Sequence, residues 1–256
     1  MKNIGPRIFI SGDRFFAFPP NGKGIKMSKT TTKERIKKIC GAALFCALAY
    51  LCVFFFRIKV SFLTFDAKDA VLAIGGMIFG PVSALLTSLA VSVLEMITVS
   101  DTGFYGLVMN FASSASFAFF ASLVYRWRRS YAGAVTGLFT GVCAMTAIMM
   151  GANLALTPFY LRSFMPDADV SYVASMIPTL LLPFNLTKAI LNAGLSLLLY
   201  KPVSTALRKA KLTPPADGAK PRALYTVIST VAALLIIAAA VLYFIFVLNG
   251  KFTLTR

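Results

Sequence analysis

Seven apolar stretches, at 41–56, 69–79, 82–99, 104–125, 132–156, 176–200 and 224–248, take up most of this 256-residue chain. Inside a bilayer no water is present to satisfy backbone N–H and C=O groups. Runs of this length therefore fold as helices, which close those hydrogen bonds internally. Hydrophobic residues make up 58% of the chain and charged residues only 14%, too few charges for a soluble domain of this size. The expected class is an all-α polytopic membrane protein. A bilayer core needs about 20 helical residues, so the stretches at 69–79 and 82–99 must be short, tilted or packed as a broken pair. Gly80-Pro81 marks the break, because proline lacks the donor that a continuing helix requires.

The formal net charge of +17 suggests nucleic acid at first sight, but the basic residues do not form one patch. They cluster at 29–38, at Arg126, Arg128 and Arg129, and at 201–222, between apolar spans. With six spans crossing, the three clusters fall on one side, and the bias of Lys and Arg makes that side cytoplasmic. The N-terminus is then inside and the C-terminus outside. The loops 57–68, 100–103 and 159–171 face outward, with Arg57 and Lys59 as minor exceptions.

Organisation follows from the same pattern. Residues 1–28 form an N-terminal extension without a usable apolar period. It lacks the apolar core and cleavage site of a signal peptide. Two readings stand: a disordered tail, or sequence upstream of a true start at Met27. Residues 29–200 form a six-helix membrane domain. Residues 201–223 form a basic, flexible linker with Pro214-Pro215. Residues 224–249 form an extra transmembrane helix, and 250–256 a tail.

Several chemistries are excluded. The chain has no histidine, which removes Ser-His and Cys-His nucleophilic sites and HExxH zinc hydrolases. No P-loop is present, so this chain has no ATP site of that kind. The four cysteines form no C-x-x-C pair and read as small buried hydrophobes. No metal site or resident cofactor is expected. Glu95 reads as the lone carboxylate deep in a span, without a carboxylate partner, so an enzyme is not expected.

The polar residues that do enter the spans are the candidate site. A charged amine at membrane depth costs about 2.5–3.5 kcal/mol on insertion scales, and Lys188 lies in the run 176–200. Asn185 is three residues earlier and shares its helical face. The pair offers an amide and an ammonium to a buried ligand. The alternatives are an ion pair between Lys188 and Glu95, or a Lys188 that snorkels to the interface. Asn110, Asn153 and Asn192 are further buried amides in need of partners. Asn153, Asn185 and Glu95 all fall in the outer half of the bilayer. They sketch an outward-facing polar pocket walled by apolar and aromatic side chains.

Three segments carry a family resemblance: Asp69-Ala-Val-Leu-Ala-Ile-Gly-Gly-Met-Ile-Phe-Gly-Pro81, Asn153-Leu-Ala-Leu-Thr-Pro-Phe-Tyr160 and Pro183-Phe-Asn-Leu-Thr-Lys188. Their order and spacing over 27–200 resemble the substrate-binding S components of energy-coupling factor (ECF) transporters, most closely the riboflavin-binding RibU type. The resemblance implies a six-helix bundle that captures a vitamin from outside. The bundle then docks on a membrane T component driven by two ATPases, with riboflavin as transported ligand and no cofactor. It carries flavin contacts over to Asn153, Asn185 and Lys188. Uracil-like donors and acceptors on the isoalloxazine edge suit such amides. Glu95 and Asn110 join the expected substrate site, with Phe65 and Tyr160 as ring-packing residues. The family's small-residue docking motif on helix one is matched by Ala43-Leu-Phe-Cys-Ala47, which lets another helix approach closely. The extra C-terminal helix and the N-terminal extension depart from the six-helix pattern. Other vitamins, such as folate, thiamin or pantothenate, and the roles of a stand-alone secondary carrier or a non-transporting scaffold are the competing readings.

Overall fold

The computed structural model describes residues 32–60, 63–210, 230–231, 233–240, 242 and 253–254. The 1–28 extension, residues 211–223 of the 201–223 connection and much of the 224–249 helix and the tail lie outside the described residues. Helix α1 is Thr32–Phe55, α2 Lys68–Phe79, α3 Pro81–Thr98, α4 Gly103–Trp127 and α5 Tyr131–Leu161. A short α6, Val170–Met176, runs through a π-helical turn, Ile177–Leu181, into α7, Leu182–Lys209. Five helical segments among the described residues are long and apolar enough to cross a bilayer: Arg35–Phe55, Pro81–Thr98, Gly103–Trp127, Tyr131–Leu161 and Val170–Ala206.

The sixth is α2, whose 12 residues reach only about 18 Å at 1.5 Å per residue. Beyond Lys68 and Asp69 in its first turn it is apolar on all sides, and Leu72, Ala73, Ile74, Gly75 and Gly76 are all buried. A helix of that kind belongs inside a bundle rather than against lipid. It packs on α1, α3, α4 and α7. Gly80 makes the break to α3 with φ of +109°, a region that a Cβ disfavours, and Pro81 opens α3 where no donor is needed.

The tightest pairing is α4 on α5. Gly133, Gly137 and Gly141 recur every four residues along α5 and clear one face of side chains. A Cβ on Gly137 would lie 2.5 Å from the Ala121 carbonyl oxygen, and one on Gly141 would lie 2.8 Å from that of Phe117. Small residues at this spacing let backbones approach and exchange dispersion contacts, the main attraction between helices in lipid. Leu72, Val91, Phe117, Leu138 and Met145 fill the central core.

At one end of the bundle, β1 (Ile58–Val60) and β2 (Leu63–Phe65) form a hairpin that leads the chain from α1 into α2. Thr253–Leu254 adds as β3 on the free edge of β1. A smaller cluster of Leu63, Phe65, Val173, Leu181 and Phe184 ties the hairpin to the π-helical turn. Linker residues 201–209 continue α7 as helix, past Pro202. Of the extra helix, the described residues pack against α7: the Cβ position of Gly194 lies 2.9 Å from Ile237 Cγ1 and 3.5 Å from the Ala233 carbonyl oxygen.

Candidate functional site: a polar cavity backed by buried ion pairs

The hairpin end of the bundle contains a cavity of about 160 Å³. Asn110, Tyr105 and Ser113 of α4, Met149 and Tyr160 of α5, and Phe184, Asn185 and Lys188 of α7 line it. Arg57, Thr64 and Asp101 line it from the hairpin and from the connection between α3 and α4. The Arg57 guanidinium donates to the Val99 carbonyl and ties the hairpin to that connection.

Asn185 and Lys188 come together on one face of α7, as the three-residue spacing predicts. The Asn185 amide nitrogen donates to the Leu181 carbonyl at 2.8 Å, which leaves its Oδ1 toward other partners. Leu181 ends the π-helical turn, a feature often found where a helix is bent to a functional purpose. Lys188 Nζ donates to Asp66 Oδ2 at 3.0 Å and to the Thr64 carbonyl at 3.2 Å.

This geometry corrects two expectations. Lys188 is paired with Asp66 and not with Glu95, and it does not snorkel: the whole residue is 3% exposed. Glu95 is instead held by Lys68, whose Nζ donates to both carboxylate oxygens at 2.6 and 2.8 Å. Glu95 is also not the lone buried carboxylate. Asp66 and Asp69 are 3% and 0% exposed. Sequence reasoning placed Asp66 and Lys68 in an outward loop, because they precede the apolar run. The fold draws that loop down into the bundle with α2. The signal was available in Asp66-Ala-Lys-Asp69, three charges at the mouth of a span too short to reach both surfaces.

Two ammonium groups, Lys68 and Lys188, thus face three carboxylates, Asp66, Asp69 and Glu95, in one connected cluster. Buried charges persist only when paired and hydrogen-bonded. Lys68 Nζ lies 3.8 Å from Asp66 Oδ2, linking the two halves. Ser114 donates to Asp69 Oδ1 at 2.5 Å, and Asn110 donates its amide to Glu95 Oε2 at 2.8 Å. Burial pushes the Asp66 carboxyl up, but Lys188 and Lys68 outweigh it and hold it below its ordinary value. Asn192 locks the cluster to the fold. Its Oδ1 accepts from Ala70 N–H at 3.0 Å, and its amide nitrogen donates to the carbonyls of Asp66 and Lys188 at 3.1 and 3.0 Å. The residue before α2, Ala67, has no capping side chain, so α7 supplies one.

The other expected site residues separate into layers. Asn110 and Tyr160 line the cavity. Glu95 stands behind Asn110. Asn153 is fully buried below the wall: its amide nitrogen donates to Met149 and its Oδ1 accepts from Thr157. Thr157 in turn shares a 2.8 Å hydrogen bond with the Tyr105 hydroxyl, so Asn153 meets the cavity through two side chains. Phe65 packs edge-on to Phe184 at 6.0 Å, and it is Phe184 that forms the wall. Tyr160 stacks on Tyr105 with centroids 4.3 Å apart and planes 11° from parallel. Sequence reasoning did not single out Tyr105, because an aromatic at a span entrance is common in membrane helices. Ala43 and Ala47 lie on the outer face of α1, exposed, while Phe45 and Ala49 turn inward. Among the described residues no group of His, Cys, Asp and Glu is arranged to hold a metal ion.

Residues 37–204 match the family described as ECF transporter, substrate-specific component. The chain belongs to this family. It is also similar to the riboflavin transporter RibU of Staphylococcus aureus (strain TCH60), with 26% identity over 182 residues, covering 69% of this chain and 95% of that protein. Its fold resembles a solved structure of the S component of a bacterial ECF transporter, with a TM-score of 0.56 at 23% identity, over 68% of this chain and 99% of that one. The protein is therefore a multi-pass membrane subunit of an ECF S-component type. Membership of this family implies a vitamin ligand, a membrane T component and ATPase partners.

Proposed function

We propose that this S component captures riboflavin at the outer face of the cell membrane and delivers it inward after docking on a T component with two ATPases. The observation that carries the reading is the cavity itself. Asn185 and Lys188 of α7 and Asn110 of α4 bring amide and ammonium groups to the cavity, and the stacked Tyr105 and Tyr160 line it with aromatic surface. A flat, mostly apolar ring with a polar edge suits such a site. The likeness to a riboflavin transporter points the same way. At about 160 Å³ the cavity is smaller than the ~300–1,000 Å³ usual for small-molecule sites, so entry of a tricyclic ring requires the half-buried tyrosine wall to shift. The exposed Ala43–Ala47 face of α1 is the proposed docking surface. In the proposed orientation the basic clusters are cytoplasmic, with the N-terminus inside and the C-terminus outside.

The deciding experiment is binding by the purified protein. Riboflavin should bind with quenched flavin fluorescence at submicromolar concentration. Binding of folate, thiamin or pantothenate instead, with none of riboflavin, would reassign the substrate. Buried Asp66 and Asp69 add carboxylates of the kind that ion-coupled carriers use. Each has a nearby ammonium, which favours a structural cluster over an ion-coupling site. Liposomes holding this protein alone, with an ion gradient imposed, should therefore not accumulate riboflavin; accumulation would establish a secondary carrier.

A further inference from the structure

The chain of polar contacts behind the cavity has a definite direction. It runs Lys188–Asp66–Lys68–Glu95–Asn110, with links of 3.0, 3.8, 2.6 and 2.8 Å. Its two ends line the cavity, and its three middle members do not. Those three are 3%, 0% and 4% exposed. A ligand in the cavity therefore meets Lys188 and Asn110, and Asp66, Lys68 and Glu95 lie behind them.

The ends are chemically constrained by the middle. Both oxygens of Glu95 accept from the Lys68 ammonium, an ion pair that favours the carboxylate form and makes it the acceptor toward Asn110. The group of Asn110 facing Glu95 must then be its NH₂, and the group left for a ligand is its carbonyl oxygen. At the other end, Asp66 and the Thr64 carbonyl take two of the three Lys188 N–H bonds; the third has Asp69 Oδ2 4.0 Å away and the cavity that Lys188 lines. The same logic applies to Asn185: its NH₂ faces the Leu181 carbonyl, an acceptor only, which leaves Oδ1 available.

We infer that Asp66 and Glu95, bridged by Lys68, are positioning residues: they never touch the vitamin, and they fix Lys188 as a donor and Asn110 as an acceptor toward it. The cavity thus presents one donor beside two amide acceptors, a pattern complementary to a ligand edge in which an N–H or O–H neighbours a carbonyl. The imide edge of a flavin offers one such neighbouring pair, a carbonyl for Lys188 and a single N–H for one of the two amide oxygens. The assignment rests on the proposed role in vitamin capture.

A double-mutant cycle on ligand affinity tests it, because a residue that acts only through another has no effect once that other is gone. Riboflavin affinity is measured for wild type, Asp66→Asn, Lys188→Ala and the double variant, together with melting of each ligand-free protein. Asp66→Asn should weaken binding by roughly tenfold or more, the scale of a lost charge-assisted hydrogen bond. In the Lys188→Ala background the same change should cost less than about threefold. Equal losses in both backgrounds, or no loss in wild type, would overturn the assignment. The Glu95 arm uses Lys68→Met with Glu95→Gln, which removes both charges together and orphans neither ion. Its cost in affinity should likewise vanish when Asn110 is already alanine; an undiminished cost would overturn that half. A wild-type protein that binds another vitamin and not riboflavin refutes the proposed substrate, and the cycle is then run with the vitamin bound. The two failures are thereby separate.

Discussion

Asn192→Ala tests whether the site and the fold are one structure. The side chain makes three hydrogen bonds, all buried: one from the Ala70 amide, one to the Asp66 carbonyl and one to the Lys188 carbonyl. The Lys188 carbonyl keeps its place in the helical ladder of α7 after the substitution. The Ala70 N–H is an orphan donor of the first turn of α2, and the Asp66 carbonyl lies in the turn before it, so both lose their partner. A buried polar group left unsatisfied costs about 1–3 kcal/mol, which puts the total at roughly 2–6 kcal/mol. For a domain of this size each kcal/mol moves the midpoint by about 2–4 °C, so the ligand-free protein in detergent should melt roughly 4–24 °C lower. Asn192→Asp retains the acceptor for Ala70 but loses both donations, and it adds a carboxylate to a cluster already holding Asp66, Asp69 and Glu95. It should be no better than alanine. A midpoint within about 2 °C of wild type for Asn192→Ala would refute the claim that α7 caps α2.

Asn185→Ala should weaken vitamin binding by about 1–3 kcal/mol with little effect on melting of the ligand-free protein, as read by fluorescence titration and thermal unfolding. Lys188→Ala should weaken binding comparably and also lower the ligand-free midpoint, because Asp66 then keeps only Lys68, 3.8 Å away; an unchanged midpoint would mean that the Asp66 pair contributes nothing to stability. Ala43→Phe with Ala47→Phe should abolish uptake in cells while leaving the purified protein's vitamin affinity intact, since α1's exposed face and the cavity are separate surfaces. The Asp66 carboxyl titrates below its unfolded value, so the stability it confers is present above about pH 4 and is lost as pH falls through the lower folded value. Asp66→Asn should flatten that acid limb of the melting profile, and an identical acid limb in both proteins would assign it to other groups.

Much of the architecture was legible along the chain, because lipid imposes a one-dimensional rule. A run of apolar residues must close its own backbone hydrogen bonds, so helices can be read from length and composition, and the break at Gly80-Pro81 from local stereochemistry. The pairing of Asn185 with Lys188 was legible for the same kind of reason, since helical spacing puts them on one face without reference to any other part of the chain. The partners of these residues were not legible. Asp66 and Lys68 precede a short apolar run and look like loop residues, and only the depth to which four neighbouring helices draw α2 makes them buried. Which ammonium takes which carboxylate depends on distances between α2, α3 and α7, and residues 66 and 188 are brought within 3.0 Å by tertiary packing alone. Asn153 shows the converse. Its segment was readable as part of the site, and its bonds to Met149 and Thr157 are local four-residue contacts on α5, but only the packed structure brings Tyr105 of α4 onto Thr157 and leaves Tyr105 to meet the cavity. Helices and their faces follow from local periodicity. The direction in which each polar group spends its hydrogen bonds follows from its neighbours in space, and those are set by the whole bundle.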